Sequence, residues 1–266
     1  GRHLGGWGLT EPQAGSDAGS LRTTAARVAD GWRLTGTKTF TTHGTVAGTF
    51  VVMAVTDPSR GHHGISAFVL ERDTPGLASG RKENKLGMRA SDTAELLLTD
   101  CLVPDNQRLG DLGEGVIGAL RVLDAGRIGI AALAVGLAQG AYEAARRHAV
   151  VREQFGQPIA GFQAIQFKLA DMATHIEAAR WLTYRAADLQ DRGRPTTRES
   201  AMAKLFSSET AVRVAEEGVQ IHGGYGFVKD YPAEKFFRDV KLTTIGEGTS
   251  EIQRLVIARD YLDRPV

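Results

Sequence analysis

The apolar positions of this chain follow two rhythms in succession. Residues 1 to about 110 read as β structure: Leu21–Val28, Trp32–Phe40, Thr49–Val55, Ile65–Glu71 and Glu95–Leu98 are short runs rich in apolar or β-branched residues, punctuated by Pro58, Gly61, Gly64, Pro75 and Gly76. Gly31 after Asp30 separates the first two runs as a hairpin turn does. About five or six strands with no helical pattern between them predict a sandwich or barrel. After Pro104 the period lengthens to that of a helix. Leu120, Leu123, Arg127, Ile130, Ala134, Leu137, Ala141 and Ala144 recur at steps of three and four, predicting one helix from about 114 to 150 with a charged residue, Arg127, on its apolar stripe. A second stripe, Phe162, Ile165, Leu169, Met172, Ile176, Ala179, Leu182, Ala186 and Leu189, ends at Gly193 and Pro195.

Thr196 followed by Glu199 reads as a capping box opening a third helix that carries Met202, Leu205, Val212 and Val219. Pro232 can open a short fourth, and Ser250 with Gln253 forms a second capping box before a last helix with Ile252, Leu255, Val256 and Leu262 on its apolar side. The fold class is therefore α+β and multidomain: a β-sandwich or barrel over residues 1–110, then an all-α four-helix bundle over 111–266.

Composition narrows the function classes. At 266 residues the chain is longer than one average domain and shorter than two, and 42% hydrophobic with 24% charged residues is ordinary globular composition. Lysine plus arginine (32) nearly balances aspartate plus glutamate (31), so no global field recruits nucleic acid. No apolar run approaches the roughly 20 residues of a membrane span, and no charged-then-apolar leader opens the chain. Gly1, followed closely by strand-like text, reads as an internal cut. The single cysteine, Cys101, is expected to be a small buried hydrophobe.

Several chemistries lack their motifs. The seven histidines show no HExxH spacing, adjacent His62 and His63 would point to opposite faces of a strand, and no CxxC occurs, so no metal site is expected. Ser16, in Gly15-Ser16-Asp17-Ala18-Gly19, lacks the spacing of a nucleophile elbow, and no GxGxxG or Walker loop is present.

Three features remain. Glu247 stands between Gly246 and Gly248 just ahead of the Ser250 helix start; the helix dipole favours its ionised form and burial would oppose it, the balance a proton-abstracting base needs, although a solvated loop glutamate has the same sequence. Gly223 and Gly224, in Gln220-Ile221-His222-Gly223-Gly224-Tyr225-Gly226, could offer amides to a phosphate or simply cap a helix. Arg127 needs an anionic or carbonyl partner, which could be Asp124 three residues earlier or a ligand.

Together and in this order, these stretches resemble the acyl-CoA dehydrogenase family of flavoproteins. Leu9-Thr10-Glu11-Pro12-Gln13-Ala14-Gly15-Ser16-Asp17 is similar to its first flavin motif and Gly246-Glu247-Gly248-Thr249-Ser250-Glu251-Ile252-Gln253-Arg254 to its C-terminal one. Lys85-Leu86-Gly87-Met88-Arg89-Ala90-Ser91-Asp92-Thr93 and Arg152-Glu153-Gln154-Phe155-Gly156-Gln157-Pro158 also fit its pattern. The resemblance implies the central β domain and C-terminal bundle of a three-part fold whose helical first part would precede Gly1.

It also implies roles. Trp7, Leu9, Thr10, Gly15 and Ser16 would line FAD, and Phe40, Thr41 and Thr42 would lie along its isoalloxazine, Phe40 standing where many relatives carry tryptophan. Arg152, Gln154, Phe155, Gln163, Gln220, Gly223 and Gly224 match positions that hold the adenosine-diphosphate part of a neighbouring subunit's FAD, with Thr249 and Glu251 completing the dinucleotide site. Glu247 matches the catalytic base that takes the α-proton of an acyl-CoA. Some relatives carry that base one residue before the CoA-contacting arginine, where this chain has Gly126. Ser16, Asp124, Arg127 and Gly248 match substrate contacts, which favours a ligand role for Arg127, and Gly246 replaces a tyrosine found in several members. The activity implied is FAD-dependent dehydrogenation to a trans-2-enoyl-CoA, with electron-transfer flavoprotein as acceptor, in a homotetramer of the bacterial cytoplasm or mitochondrial matrix. An oxidase that uses oxygen and a non-catalytic fragment or partner subunit are the alternatives.

Overall fold

The structure is a computed structural model in which residues 1–262 are described. The chain packs as two compact units, one of residues 1–85 and 89–121, the other of residues 86–88 and 122 onward.

The first unit is a mixed sheet of eight strands: β1 (Gly5–Gly8), β2 (Thr24–Val28), β3 (Gly31–Thr42), β4 (Thr49–Val55), β5 (Ile65–Glu71), β6 (Leu77–Lys82), β7 (Thr93–Pro104) and β8 (Arg108–Leu109). Their order is β6-β7-β3-β2-β4-β5-β8, with β1 parallel to β4. Two halves of this path meet at a single parallel pairing, Thr24 with Val55, and enclose one core. Alternate residues of both halves fill it: Leu34, Leu96 and Val103 from one, Phe50, Val52 and Phe68 from the other. The opposite face of β4 is covered too, because Met53 packs with Leu21, Ala14 and Ala119. Cys101 is fully buried in the main core.

The Asp30–Gly31 hairpin and the strands at 49–55 and 65–71 lie where the pattern puts them. Eight strands replace the five or six predicted, since β1 and β8 are too short to show a period and Leu77–Lys82 carries little β-branched text. The run at 95–98 extends to a full Thr93–Pro104 strand along β3, and the run from Leu21 enters the sheet only at Thr24. His62 and His63 sit in a 3-10 turn, Pro58–Gly64, with ring centroids 4.1 Å apart, so the strand geometry expected of them does not hold.

Lys38, on β3, is fully buried and donates to Glu11 Oε1 at 2.6 Å. The Arg22 and Thr23 amides donate to the same carboxylate. Burial pushes Glu11 up, yet Lys38 and these amides outweigh it and hold the carboxyl down at about 2.

The second unit is helical. It comprises most of α1 (Gly115–Val151), then α2 (Gln163–Asp191), α3 (Thr197–His222), the short α4 (Ala233–Val240) and α5 (Ser250–Leu262), with a two-stranded hairpin of β9 (Glu153–Gln154) and β10 (Gln157–Pro158) after α1. None of these helices is long and apolar enough to cross a membrane. Residues 86–88 belong here, tied by the Met88 amide to Asp239 Oδ1 at 2.6 Å.

Helix positions follow the pattern closely, and the stripe predicted for α2 is its buried face, with Met172, Ile176, Ala179 and Ala186 in the core, but the buried faces of α1, α3 and α5 depart from the pattern in part. In α1 the core row is alanine (Ala131, Ala134, Ala138, Ala141, Ala145 and Ala149), whereas Leu120 is exposed. In α3 the buried face is Ala201, Lys204, Ser207, Ala211 and Ala215, and the larger Met202, Leu205, Val212 and Val219 are only half-buried. Because α3 touches α2, α4 and α5, small residues on it allow close approach on several sides. Of the predicted apolar side of α5, Ile252 and Val256 are half-buried while Leu255 and Leu262 are exposed, and the buried positions are Ser250 and Gln253. Neither capping box forms as read. Thr196 makes no side-chain cap, Glu199 pairing with Arg198 instead, and α5 is capped by Thr249, whose hydroxyl accepts from the Ile252 amide.

Lys38→Met should destabilise the chain by about 3–5 kcal/mol in urea unfolding by stranding a buried carboxylate, and Lys38→Met with Glu11→Leu should recover most of the loss. With a folded carboxyl near 2 and a usual value of 4.5, the stabilisation contributed by Glu11 is complete above 4.5 and lost as pH falls from there toward 2, which unfolding at stepped pH would record.

Candidate active site

The strongest chemical feature of the helical unit is the turn ahead of α5. Glu247 has a left-handed backbone (φ 54°) and Gly248 follows at φ 90°. A side chain in that region is disfavoured, so something must hold the turn. The Gly248 carbonyl accepts from Lys204 Nζ at 2.7 Å and from Gln253 Nε2 at 2.9 Å, and Gln253 also reaches the Glu247 carbonyl at 3.2 Å.

The Glu247 carboxyl turns toward α1. A Cβ added to Gly126 would stand 1.9 Å from its Oε2, so the absent side chain is the space this carboxyl occupies. Oε2 is buried and has no hydrogen-bond partner. One residue on, buried Arg127 donates to Asp124 Oδ1 at 2.6 Å, while Thr197 donates to the other Asp124 oxygen at 2.6 Å. The partner of Arg127 within the chain is thus Asp124, and its Nε remains buried and unpartnered. Burial pushes the Glu247 carboxyl up, and the charges of Arg127 and Lys204 restrain that rise. Burial also brings Lys204 down to about 8, with Arg127 adding to the shift and Glu247, Glu251 and Glu209 opposing it. Thr249 caps the helix beside this turn, and Glu251 lies below the usual carboxylate range through hydrogen bonds from its own amide and from Thr249.

A groove of about 540 Å³ in the same unit is lined by His148, Arg152, Gln154, Gly223, Gly224 and Tyr225, among others. Gly223 caps α3 at φ 60°, and neither it nor Gly224 has an atom within 4 Å of an added Cβ, so this backbone is open to a ligand. Phe155 stands at the tip of the β9–β10 hairpin, where it and Gly156 have φ of 52° and 77° as a type I′ turn requires, and its ring is 93% exposed. Gln163 and Gln220 are exposed and lie outside the groove lining.

In the β unit, residues 6–10 run beside β3. A Cβ on Gly6 would meet the Thr42 carbonyl, one on Gly8 would meet Lys38, and the Thr39 amide donates to the Thr10 carbonyl at 2.8 Å. The β3–β7 register shifts between Lys38 and Thr41, and Phe40 in that bulge has φ 53° and an exposed ring. Trp7, Leu9 and Thr10 are half-buried, Thr41 is buried, and Thr42, Gly15 and Ser16 are exposed. The geometry brings the stretch around Trp7–Thr10 together with residues 38–42; Gly15 and Ser16 follow the turn that Glu11 and Ala14 close by paired backbone bonds.

These features fit the FAD that the sequence resemblance implies. An aromatic ring is displayed on a bulge, the Thr39 and Thr41 hydroxyls are buried without partners, and the helical unit supplies a guanidinium beside open glycines in one groove. Among the described residues no group of three histidine, cysteine, aspartate or glutamate side chains could hold a metal.

Lys204 and Gln253 escaped sequence reasoning. The first sits on a helix face chosen by its small residues, and the second reads in the sequence as a capping side chain. The available signal for Lys204 was the small-residue row itself, with Ala201, Ser207, Ser208 and Ala211 at helical spacing from the lysine.

Two family descriptions match the chain: acyl-CoA dehydrogenase, middle domain, over residues 6–101, and acyl-CoA dehydrogenase, C-terminal domain, over residues 113–262. Among curated relatives, an acyl-CoA dehydrogenase of Bacillus subtilis is 52% identical over 98% of this chain and 69% of its own length. The mitochondrial short-chain specific acyl-CoA dehydrogenase of Rattus norvegicus is 51% identical over 98% of this chain and 64% of its own. A solved structure described as the electron transferring flavoprotein of Acidaminococcus fermentans, in a study of electron bifurcation, superposes with a TM-score of 0.97 at 51% identity, over 98% of this chain and 69% of that one. The chain therefore spans about two thirds of the length of the proteins it matches.

Gly126→Ala should cost about 1–3 kcal/mol in thermal unfolding because the methyl collides with the Glu247 carboxyl. Gly129→Ala, on the same helix with open space around it, should stabilise by about 0.5–1 kcal/mol. Equal effects of the two would contradict the packing described.

Proposed function

Because the chain belongs to the acyl-CoA dehydrogenase family, we propose that it carries the catalytic machinery for α,β-dehydrogenation of an acyl-CoA thioester, with Glu247 as the base. The observation that carries the proposal is the Glu247 carboxyl, held in a strained turn with one oxygen buried, unpartnered and accommodated only by the glycine at 126. A carboxyl whose affinity for protons is raised by burial and restrained by two cations is a stronger base than a solvated one, yet still ionises to accept a proton. In this reading Glu247 takes the α-proton of the substrate. FAD, when bound, supplies the acceptor for the hydride leaving the β-carbon, and the product is the trans-2-enoyl-CoA.

The other residues bind and orient. Arg127 and Asp124 contact the CoA thioester, the Asp124 and Thr197 bonds fixing the guanidinium so that its remaining N–H groups are presented rather than mobile. Ser16 and Gly248 complete the substrate contacts. Trp7, Leu9, Thr10, Gly15, Ser16 and Phe40–Thr42 line the flavin half of FAD. Arg152, Gln154, Phe155, Gln163, Gln220, Gly223 and Gly224 receive the adenosine-diphosphate half from another subunit, with Thr249 and Glu251 beside it. The exposed Phe155, Trp181, Leu255 and Leu262 support a homo-oligomer, a tetramer in this reading.

The name of the solved neighbour supports electron-transfer flavoprotein as the acceptor, and that of the mitochondrial relative supports short acyl chains as the first substrates to test. Those relatives also support a compartment that supplies acyl-CoA, the bacterial cytoplasm or the mitochondrial matrix.

Glu247→Gln should keep FAD bound and abolish bleaching of the flavin by a four-carbon acyl-CoA under anaerobic conditions; retained bleaching would refute the base assignment. The ionised base is needed, so the bleaching rate should climb with pH through a midpoint above the usual carboxylate value, as the raised Glu247 requires. Arg127→Ala should weaken acyl-CoA binding about tenfold or more while leaving FAD affinity within about threefold, readable by titration of the flavin spectrum.

A further inference from the structure

Two side chains outside the roles above end on the backbone of the turn that carries Glu247. Lys204 and Gln253 are both fully buried, one on α3 and one on α5, and both donate to the Gly248 carbonyl. A buried ammonium costs several kcal/mol unless it is compensated, and the neighbours of Lys204 on its own helix face, Ala201, Ser207, Ser208 and Ala211, are small and uncharged. A methionine there would pack as well at no such cost, so the charge serves something other than the core.

We propose that Lys204 and Gln253 are positioning residues for the base, which clamp the Gly248 carbonyl from two helices and so keep Glu247 in the left-handed conformation that directs its carboxyl into the space at Gly126. This inference rests on the reading of Glu247 as the base. The strain at Glu247 is relieved only if its φ turns negative, and a change of that size redirects the chain after it, carrying the Gly248 carbonyl away from Lys204 and Gln253 and the Glu247 carbonyl away from Gln253, and leaving an ammonium and an amide buried and unpaired. Losing such bonds costs more than the strain they hold, so the turn stays as it is. The fit is close, because a Cβ on Gly248 would lie 2.7 Å from the Gln253 amide nitrogen.

The two donors differ in charge, which separates their effects. Arg127 on α1 and Lys204 on α3 are the cations that act on the Glu247 carboxyl. Facing Lys204 are Glu247 itself, Glu251 on α5, and Glu209 on α3, the last paired with Arg254 at 2.7 Å. Removing Lys204 therefore takes away both a clamp and a cation, whereas removing Gln253 takes away a clamp alone.

The test uses the FAD-loaded enzyme and two readouts. The first is the titration of the Glu247 carboxyl by infrared spectroscopy without substrate, its band identified by absence in Glu247→Gln. The second is steady-state turnover of a four-carbon acyl-CoA. Lys204→Met should move the carboxyl midpoint up by about one pH unit and lower kcat about tenfold with KM within about threefold, and Lys204→Arg should return the midpoint toward that of the unaltered enzyme. Gln253→Met should leave the midpoint in place and lower kcat about tenfold at unchanged KM. An unmoved midpoint in Lys204→Met, or kcat losses that merely follow loss of bound FAD, overturns the inference. Should Lys204→Met fail to fold, Gln253→Met decides, and kcat equal to the unaltered enzyme's overturns it. An inactive Glu247→Gln beside fully active Lys204 and Gln253 variants sinks the positioning role alone, whereas an active Glu247→Gln brings down the base and this inference together.

Discussion

A carboxyl group buried in a strained turn sets the terms for the helical unit. Desolvation raises the proton affinity of Glu247 at a cost in stability, and its left-handed backbone adds a second cost. The surroundings answer each cost separately. Gly126 supplies volume, Arg127 and Lys204 supply charge, and Gln253 with Lys204 supplies the hydrogen bonds that make rotation of the turn unfavourable. The α1 residues beside the carboxyl are themselves held by Asp124, which Thr197 fixes from the start of α3. The site is thus assembled by three helices far apart in sequence.

The β unit solves a related problem by the opposite means. Its buried charge, Lys38, is neutralised completely by Glu11, and that carboxylate also fastens the segment from residue 9 to residue 23 through Lys38, Arg22 and Thr23. An irregular stretch with few regular strand bonds gains a fixed course from one ion pair. The bulge at Phe40 then displays its ring beside that course without unpairing β3 from β7 on either side.

The sequence pattern carried the order of elements, the change from strands to helices after Pro104, and the two motifs on which the site is built. Period-two and period-3.6 rhythms are local, so strands at 49–55 and 65–71 and the ends of α1 and α2 were legible. What a helix faces is not local. Hydropathy favoured Leu205 and Val212 on α3, whereas packing on several sides selected Ala201, Ser207 and Ala211 and, among them, Lys204. Sequence marks Gly126 only as a position where no carboxylate stands, and the three-dimensional arrangement reveals it as the room for the Glu247 carboxyl. The pattern puts the cap of α5 one position late, at Ser250, because Thr249 and Ser250 are equivalent chemically and differ only in backbone geometry.

The alanine rows of α1 and α3 have one more consequence. An alanine has no rotamers to lose on burial, so an interface made of them forms with little side-chain entropy cost and, once formed, has no alternative side-chain packings to explore. Beside such helices the Glu247 carboxyl cannot be retuned by repacking neighbours. Any change of shape around that carboxyl has to come from the turns and helix ends, while the interior that carries Lys204 and Arg127 behaves as a fixed frame.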